Sequence, residues 1–367
     1  MQIMIKPVSG NCNMVCDYCF YCDVSAKRKQ YSYGVMSDDT LKNVIRKTLR
    51  FAKERCAICF QGGEPTLAGL AYFNKVVSYV EQYNRQNIPI EYAIQTNGLS
   101  ISEEWCTFFR ENKFLVGLSV DGIEKTHDVY RHNHRGEATY QDVYATAKLF
   151  EQTNVEFNIL TVVNRATATH IKEIYEDYKR NNWKFLQFIA CLDGLGDTRG
   201  TADYSLTPEI YGKFLGELFH LWYRDWKRGK QPYIRFFENY VGMIMGYPPE
   251  SCEHKGICGI QNIIEADGSV YPCDFFVLEE YCLGNLNHDT MRDIYQKREQ
   301  LAFIAKSRNH CAECKACKYF TICRGGCDRN RNHGVQYFCQ SYKMFFDTCY
   351  DKLKDIADYI APPGKSM

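Results

Sequence analysis

Three cysteines near the start of the chain have a spacing that suits an iron–sulfur cluster with one free iron. Cys12, Cys16 and Cys19 form the pattern C-x3-C-x2-C within one short segment. Three thiolates this close together can each hold one iron of a [4Fe–4S] cube, which leaves the fourth iron open to a small molecule. A structural zinc site instead needs four protein ligands, usually from paired C-x2-C units. The segment therefore predicts an open cluster that does chemistry.

A second set of cysteines lies in the last third of the chain. The chain has 19 cysteines. Leaving out Cys282 and Cys311, the C-terminal set consists of Cys252, Cys258, Cys273, Cys314, Cys317, Cys323, Cys327 and Cys339. Eight thiolates are enough for two fully ligated four-iron clusters, and two structural zinc sites are the alternative that the spacing leaves open.

Two further segments carry polar residues that suit the binding of an amino acid and a ribose. Residues 61–65 read Gln-Gly-Gly-Glu-Pro, in which the glycines permit close approach of the backbone and Glu64 can accept a hydrogen bond from an ammonium group. Ser119 ends a later apolar run and Arg131 follows soon after, a pair suited to a carboxylate or a ribose. A simple glycine turn and a solvated surface arginine are the open alternatives.

The composition excludes several classes of protein. The net charge of +1 gives no broad field for nucleic acid or an anionic membrane. No run of 18 apolar residues occurs, so no transmembrane helix is expected, and residues 1–8 lack the layout of a signal peptide. Many cysteines without a signal peptide favour metal or iron–sulfur ligation in a reducing cytoplasm over a secreted disulfide scaffold.

Strand-like and helix-like segments must position these residues, and they alternate along the first 230 positions. Short apolar runs predict a first strand within residues 1–8 and further strands at 56–61, 90–95, 115–120, 155–163 and 185–190. Amphipathic stretches predict helices at 39–53, 70–87, 102–112, 140–153, 168–181 and 207–227, with a capping box at 100–103 and an N-cap at Thr207. This alternation predicts an α/β fold with a parallel sheet, whose sites lie at the carboxyl ends of the strands.

The chain after residue 230 has a different character. Arg235 lies among aromatic residues, and Asp-Gly within residues 263–272 predicts a β-hairpin. A last amphipathic helix is expected from residue 340 to about 360, ending before Pro-Pro-Gly at 362–364. We therefore divide the chain into residues 1–230, a cysteine-rich domain at 231–340, and a C-terminal helix and tail at 341–367.

Together these motifs resemble radical S-adenosylmethionine (SAM) enzymes with a SPASM domain, and more closely the anaerobic sulfatase-maturating enzymes. The likeness spans nearly the whole chain and rests on residues 12–21, 60–66, 95–98, 117–122 and 271–275 and on the cysteine-rich tail. Tyr18, an aromatic residue directly before Cys19, fits the radical SAM signature, and Cys-Asp-Phe at 273–275 resembles the sulfatase-maturating group. The resemblance implies a partial (β/α)6 barrel followed by a SPASM domain and a C-terminal helix.

The resemblance also implies roles for individual residues. Cys12, Cys16 and Cys19 would hold the cluster that binds SAM, and Glu64, Ser119 and Arg131 would contact SAM. The ligands of the first auxiliary [4Fe–4S] cluster would be Cys252, Cys258, Cys273 and Cys327. Those of the second would be Cys314, Cys317, Cys323 and Cys339. Asp274 would be the base, with Tyr21, Gln61 and Arg235 as weaker candidates for peptide contact. The other cysteines are expected to be buried free thiols.

The expected reaction converts a cysteine, or a serine, of a sulfatase peptide to Cα-formylglycine. It would use SAM, three [4Fe–4S] clusters and an external one-electron reductant of the flavodoxin or ferredoxin type, in a cytoplasmic monomer with no nucleic-acid or membrane partner. One alternative is another SPASM peptide modifier that forms thioether crosslinks, although such enzymes often carry an N-terminal recognition domain and here the cysteine motif begins at residue 12. The other is a non-catalytic iron–sulfur electron carrier, which has no use for the Gly-Gly-Glu segment.

Overall fold

The structure is a computed structural model that describes residues 1–361. The Pro-Pro-Gly at 362–364 and the rest of the predicted tail lie outside the described residues. Within the described part of the chain, no helix combines the length and the apolar character that crossing a bilayer requires.

The strands follow the chain in an order that brings distant segments together. In chain order they are β1 (Gln2–Ile5), β2 (Met14–Cys16), β3 (Cys56–Phe60), β4 (Ile90–Thr96), β5 (Phe114–Ser119), β6 (Arg131–Asn133), β7 (Phe157–Val163), β8 (Phe185–Ala190), β9 (Tyr233–Ile234), β10 (Ile263–Ile264), β11 (Ser269–Tyr271), β12 (Gly284–Asn285), β13 (Arg331–Asn332) and β14 (Val335–Gln336).

The helices alternate with the strands in the first half and cluster in the second. In chain order they are α1 (Phe20–Ala26), α2 (Asp38–Phe51), α3 (Leu70–Tyr83), α4 (Glu103–Glu111), α5 (Glu124–His127), α6 (Tyr140–Thr153), α7 (Arg165–Thr169), α8 (Ile171–Arg180), α9 (Pro208–Trp226), α10 (Arg235–Ile244), α11 (Cys252–Lys255), α12 (Met291–Leu301), α13 (Phe303–Lys306), α14 (Ala312–Lys315), α15 (Phe320–Cys323) and α16 (Cys339–Ile360). Short 3-10 turns occur at Pro65–Ala68, Asp274–Phe276, Glu279–Tyr281 and Asp328–Asn330.

One ten-stranded sheet organises the molecule. Its order is β12-β11-β10-β1-β3-β4-β5-β7-β8-β9, and the two end strands do not pair with each other. The six strands β1, β3, β4, β5, β7 and β8 are mutually parallel neighbours with helices between them, which confirms the partial (β/α)6 barrel. In β5, successive side chains point to opposite faces, so that Val116 and Leu118 are fully buried while Leu115 is exposed.

The first strand lies inside this sheet rather than at its edge. β1 pairs in parallel with β3, where Ile5 lies opposite Phe60, and with β10 on its other side, where Ile5 lies opposite Ile264. The predicted hairpin at 263–272 is confirmed as β10 and β11, and β12 extends it. The cysteine-rich half therefore continues the sheet of the first half.

At the other end of the sheet, β9 still pairs with β8 although it follows residue 230. The proposed boundaries at 230 and 340 stay predictions, because the sheet itself does not divide at the first of them. The last helix begins at Cys339, one residue before the expected start, and lies against α9, with the Tyr211 and Phe338 rings 4.8 Å apart at its first turn. The Trp226 and Tyr359 rings, 5.4 Å apart, make the corresponding contact near its end.

The element predictions agree with the structure within a few residues, with two exceptions. The helix predicted at 168–181 is wrong in its start, because a turn at His170 separates α7 from α8. The capping box predicted at 100–103 is also wrong. Ser102 is the N-cap of α4 but its side chain accepts no hydrogen bond there. The Ser100 hydroxyl instead accepts one from Asn13, which lies in the segment 11–19 that carries Cys12, Cys16 and Cys19 and that we name the cysteine loop.

The two N-caps differ in a way that can be measured. Thr207 caps α9 through a hydrogen bond that its side chain accepts from the Ile210 amide, as the sequence predicts. We expect Thr207→Ala to destabilise the fold by about 1 kcal/mol, because a helix donor loses its partner. Ser102→Ala removes no such bond and is the matched control. The measurement is the apparent midpoint of thermal unfolding at one scan rate, and equal shifts in the two variants would contradict the assignment.

Candidate active site

The cysteine loop begins where β1 ends and is held from two sides. β2 carries Cys16 and pairs with β6, so that Cys16 lies opposite Arg131, and α1 begins directly after Cys19. Burial, with smaller contributions from Glu64 and the neighbouring Cys16 and Cys19, raises the pKa of the Cys12 thiol to about 12. Burial likewise raises the pKa of Cys16 to about 11. Buried thiols this close to one another need a cation to become thiolates, and cluster iron supplies one.

The two glycines of the Gln-Gly-Gly-Glu-Pro segment make room for the protein's own chain. Both have positive φ, of 91° at Gly62 and 53° at Gly63. A Cβ on Gly63 would lie 2.0 Å from the carbonyl oxygen of Asn11, and one on Gly62 would lie 2.7 Å from Cγ of Lys6. The glycines were expected to admit a ligand, and the structure shows that they admit the cysteine loop and the Lys6 side chain.

Glu64 is the best-anchored of the candidate SAM contacts. It is only 1% exposed. Its Oε1 accepts hydrogen bonds from Thr66 N, Thr66 Oγ1 and Thr96 Oγ1, and its Oε2 accepts one from Asn97 N at 2.7 Å. Burial raises its pKa, while these donors oppose the shift. The carboxylate therefore ties β3 to the end of β4, and its Oε2 accepts a single hydrogen bond, from Asn97 N.

Asn97 joins this carboxylate to the cysteine loop. Its side-chain amide lies 3.7 Å from Cys12 Sγ and donates to Asn13 Oδ1 at 2.7 Å, while its own oxygen accepts from the Leu99 amide. Asn97 belongs to the 95–98 motif, to which the sequence alone gave no role beyond a turn. The ends of β1, β3 and β4 thus meet at Cys12.

Arg131 is buried beneath the same loop and is not a surface cation. It is 5% exposed, and its guanidinium donates to the Tyr18 hydroxyl at 3.1 Å and lies 3.7 Å from the Met14 sulfur. The Tyr18 hydroxyl in turn bonds the fully buried Asp121, which follows β5. The Arg131 Nε has no hydrogen-bond partner within residues 1–361. A buried donor without a partner beside the cysteine loop is suited to bind an anionic group of a ligand. Ser119, the last residue of β5, is half-buried at the same strand end.

The first four-cysteine set is drawn from three separate segments. Cys252 starts α11, Cys273 follows β11, and Cys327 precedes a 3-10 turn. Burial raises the pKa of Cys327, and Cys252 and Cys258 raise it further, so these thiols share one neighbourhood. Burial raises the pKa of Cys273 as well, with a contribution from Cys327.

The second set lines a single cavity of about 60 Å³, together with Cys311. Cys311 was left out of the predicted ligands, yet its sulfur accepts a hydrogen bond from the Cys314 amide at 3.4 Å. It is half-buried and is not one of the buried, isolated thiols expected for the unassigned cysteines. Its position three residues before Cys314 is the only sequence signal that pointed to it.

Within residues 1–361, no three His, Cys, Asp or Glu side chains converge tightly enough to hold a single metal ion. The two sets are connected through Tyr342, which lines the cavity and donates to Glu253, the residue after Cys252.

The predicted base and the cysteine loop are brought together by Lys6. Asp274 Oδ1 lies 2.5 Å from Lys6 Nζ, and this ammonium lies 3.9 Å from the centre of the Tyr21 ring. The Phe20 and Phe275 rings are 4.8 Å apart at the same junction. The Tyr21 hydroxyl bonds Glu265, which is also paired with Arg28. Lys6 had no place in the sequence-based site, and only its position at the end of the first strand could have suggested it.

Two weaker candidates lie apart from this junction or on its edge. Gln61 is half-buried directly after β3, and its amide donates to the Ile5 carbonyl. Arg235 is farther away, since it pairs with Glu250 at 2.9 Å, contacts Gln187 of β8 at 3.2 Å, and lines a cavity of about 460 Å³ with the first residues of β7 and β8. The structure therefore does not bring Arg235 to the carboxyl ends of the strands.

Comparison with known proteins decides the family. The radical SAM superfamily model matches residues 7–178, and the SPASM model, an iron–sulfur cluster-binding domain, matches residues 258–318. The cysteine-type anaerobic sulfatase-maturating enzyme of Clostridium novyi (strain NT) is 40% identical over 98% of both chains. The chain belongs to the anaerobic sulfatase-maturating enzyme family. It is thus a radical SAM oxidoreductase with an iron–sulfur SPASM domain.

Two further comparisons place the chain within the family. The solved structure of native anSMEcpe with bound AdoMet and Cp18Cys peptide superposes with a TM-score of 0.94 at 42% identity, covering 98% of this chain and 99% of that one. The serine-type enzyme of Bacteroides thetaiotaomicron is 31% identical over 94% of this chain and 88% of its own. This sulfatase-maturating chain is therefore more similar to the cysteine-type relative than to the serine-type one.

The contact between Gly63 and the cysteine loop leads to a test of the SAM-cluster site. Gly63→Ala should displace the cysteine loop, because the new Cβ would collide with the Asn11 carbonyl oxygen. We expect the purified, reconstituted variant to lose about four irons per chain, the content of one cube. Gly69 also has positive φ, of 80°, but a Cβ there meets nothing within 4 Å, so Gly69→Ala is the control and should keep its iron. Full iron content in Gly63→Ala would contradict the proposed packing.

Proposed function

We propose that this chain oxidises a cysteine side chain of a sulfatase peptide to Cα-formylglycine, with serine as a secondary substrate. The observation that carries the proposal is the junction at which Asp274, beside a cysteine of the SPASM domain, meets the residues directly after Cys19. The reaction needs a base close to the SAM cluster, and Asp274 at this junction is a candidate for it. The greater identity to a cysteine-type relative supports cysteine as the main substrate.

Three [4Fe–4S] clusters account for the arrangement of the cysteines. Cys12, Cys16 and Cys19 would hold the SAM cluster, and the two four-cysteine sets named above would each hold an auxiliary cluster. When bound, SAM and the clusters supply the radical that removes one hydrogen atom and the acceptor for the second electron. The chain's own task is to orient the peptide, exclude water and take the remaining proton.

SAM would be held at the carboxyl ends of β3 and β5. Glu64 presents Oε2, which accepts a single protein hydrogen bond, to the amino group of SAM. Arg131 offers its unsatisfied Nε and Ser119 its hydroxyl to the carboxylate or the ribose. Burial raises the pKa of Glu64, since its side chain is nearly inaccessible to water. The four donors around the carboxylate oppose this shift, and the incoming ammonium would oppose it too.

The proton balance assigns a role to Asp274. Converting the Cβ–S unit of cysteine to a thioaldehyde removes two electrons and two protons. One of each leaves together as the hydrogen atom from Cβ, the second electron leaves separately, and the second proton leaves the sulfur. Asp274 would take this proton, and water then hydrolyses the thioaldehyde to the aldehyde and releases the sulfur as hydrogen sulfide. The side chain is 13% exposed, so it is accessible to a bound peptide while largely withdrawn from solvent.

The peptide would lie against Tyr21 and Gln61. Tyr21 is buried and fixed through its hydroxyl, so it would shape the floor of the cleft, whereas the half-buried Gln61 has amide groups free to bond a peptide. Arg235, in its separate cavity beside Gln187, would contact only a distant part of the peptide. An external one-electron reductant of the flavodoxin or ferredoxin type would supply electrons, and we expect a cytoplasmic monomer that binds neither nucleic acid nor membrane.

Iron content tests the number of clusters. Anaerobic reconstitution should give about twelve irons per chain, and replacement of Cys12, Cys16 and Cys19 by Ala should leave about eight. The measurement is iron and zinc by elemental analysis against protein concentration. About four irons accompanied by zinc in the intact protein would contradict the two auxiliary clusters.

Product analysis tests the reaction and the base together. Reconstituted protein, SAM, a chemical reductant and a Cys-x-Pro-x-Arg peptide should yield formylglycine by mass spectrometry, whereas a product that keeps its sulfur in a crosslink would contradict the proposal. Asp274→Asn should still release 5′-deoxyadenosine but lower formylglycine by at least about 10²-fold, because the base is lost.

Asp328→Asn is the matched control for this variant. Asp328 follows Cys327 as Asp274 follows Cys273, and it lies 3.5 Å from Arg331. Loss of iron in both variants would show that these carboxylates support the cluster. An unchanged formylglycine rate in Asp274→Asn would show that Asp274 is not the base.

A further inference from the structure

Lys6 is a fully buried cation at the centre of the junction between the two halves of the chain. Its side chain has no exposed surface, and its ammonium lies 2.5 Å from Asp274 Oδ1 and 3.9 Å from the centre of the Tyr21 ring. Burial of an ammonium group is costly unless a nearby anion compensates its charge. The burial of a lysine ammonium at this junction therefore needs a physical explanation.

The compensation comes from Asp274 specifically. The other buried carboxylate nearby, Glu265, is paired with Arg28 at 3.3 Å and accepts hydrogen bonds from Tyr21 and Ser9. Within residues 1–361, Asp274 is the only acidic side chain within 4 Å of the Lys6 ammonium. Each buried carboxylate therefore has its own cation.

The path of the Lys6 side chain is fixed by its surroundings. It leaves the end of β1 and crosses Gly62, where a Cβ would lie 2.7 Å from Cγ and 2.8 Å from Cδ of the lysine. Because Lys6 N also donates to the Ile264 carbonyl, the backbone at this point is held by the adjacent strand of the SPASM half. The ammonium thus has little freedom to move away from Asp274.

The pair also makes the two oxygens of Asp274 unequal. Oδ1 is enclosed and lies against Lys6. Oδ2 makes no hydrogen bond with residues 1–361. The Asp274 side chain is 13% exposed, and because Oδ1 is enclosed, Oδ2 is the oxygen that remains accessible. Because the Lys6 ammonium lies against Oδ1, it fixes the orientation of the carboxylate and leaves Oδ2 as the oxygen that can face a bound peptide.

We propose that Lys6 is a positioning residue for formylglycine formation, acting through Asp274. By pairing with Oδ1, it holds the carboxylate in one orientation and leaves Oδ2 to face the thiol of the bound peptide. This inference rests on the proposed function, in which Asp274 takes the thiol proton. Lys6, the residue directly after β1, thereby links the barrel to Asp274 in the SPASM half.

The test measures how hydrogen-atom removal is coupled to product. Lys6→Met keeps the length of the side chain and removes its charge. The ratio of 5′-deoxyadenosine to formylglycine should rise at least about tenfold, since SAM cleavage continues while the proton is no longer taken efficiently. This ratio is counted per turnover, so partial loss of active protein does not change it. Lys6→Arg retains a cation and should stay closer to the parent ratio than Lys6→Met does.

A double-mutant cycle separates action through Asp274 from an independent role. If Lys6 acts through Asp274, Lys6→Met should change the ratio no further when it is introduced into Asp274→Asn. Lys179→Met is the matched control, because Lys179 pairs with the buried Asp225 on the outer helices, and the parent ratio is expected there. Multiplicative effects of the two substitutions, or a parent ratio in Lys6→Met, would overturn the proposal.

The remaining outcomes are also decisive. If Lys6→Met does not fold because Asp274 is left buried and unpaired, the double variant should fold again, and failure of both would assign Lys6 a structural role only. If the parent makes a crosslink instead of formylglycine, the proposed function fails and this inference falls with it. If the parent makes formylglycine while the ratio is insensitive to Lys6, only the inference fails.

Discussion

The structure depends on the parallel pairing of β1 with strands on both of its sides. β3 lies on one side and β10, more than 200 residues later in the chain, on the other. The cysteine loop leaves the end of β1, Gln-Gly-Gly-Glu-Pro leaves the end of β3, and the hairpin that begins with β10 leads to Cys273 and Asp274. A slip of one residue in β1 would exchange the side chains on its two faces, so Lys6 would leave the site and Ile5 would leave the core. The register of four residues thus sets the geometry of the junction.

Buried charges at this junction make the pairing specific. Lys6 with Asp274 and Arg28 with Glu265 each join the first 30 residues to the SPASM half. Buried ion pairs are weak evidence for stability, because apolar side chains of similar size often stabilise a fold equally well or better. Breaking one partner, however, leaves a buried charge unpaired and is strongly destabilising. The two pairs therefore penalise alternative packings of the halves more than they stabilise the observed one.

Much of the barrel and of the cysteine chemistry was predictable from the sequence, for identifiable reasons. Strand positions follow from apolar runs, and Cys12, Cys16 and Cys19 follow from ligand spacing, both of which are local signals. The role of the glycines was not local. Gly63 is needed because the Asn11 carbonyl lies against it, a contact between segments about 50 residues apart. Lys6 carried no motif. Ser100 matched a capping-box pattern, but its hydroxyl instead accepts a hydrogen bond from Asn13, and Ser102 is the N-cap.

The position of Arg235 shows that a residue expected to contact the substrate can lie far from the site of the chemistry. The family resemblance suggested peptide contact for Arg235, and it does line a cavity with Gln187, but at the opposite end of β8 from the cysteine loop. A parallel strand separates its two ends by about 3.3 Å per residue, so a residue beside the start of a six-residue strand lies well away from chemistry at its end. Contacts made there can orient an extended peptide but cannot take part in bond breaking. The reacting groups must come from the carboxyl ends of the strands, where the sheet places Cys12, Glu64 and, through Lys6, Asp274, while the separate β2–β6 pair adds Arg131.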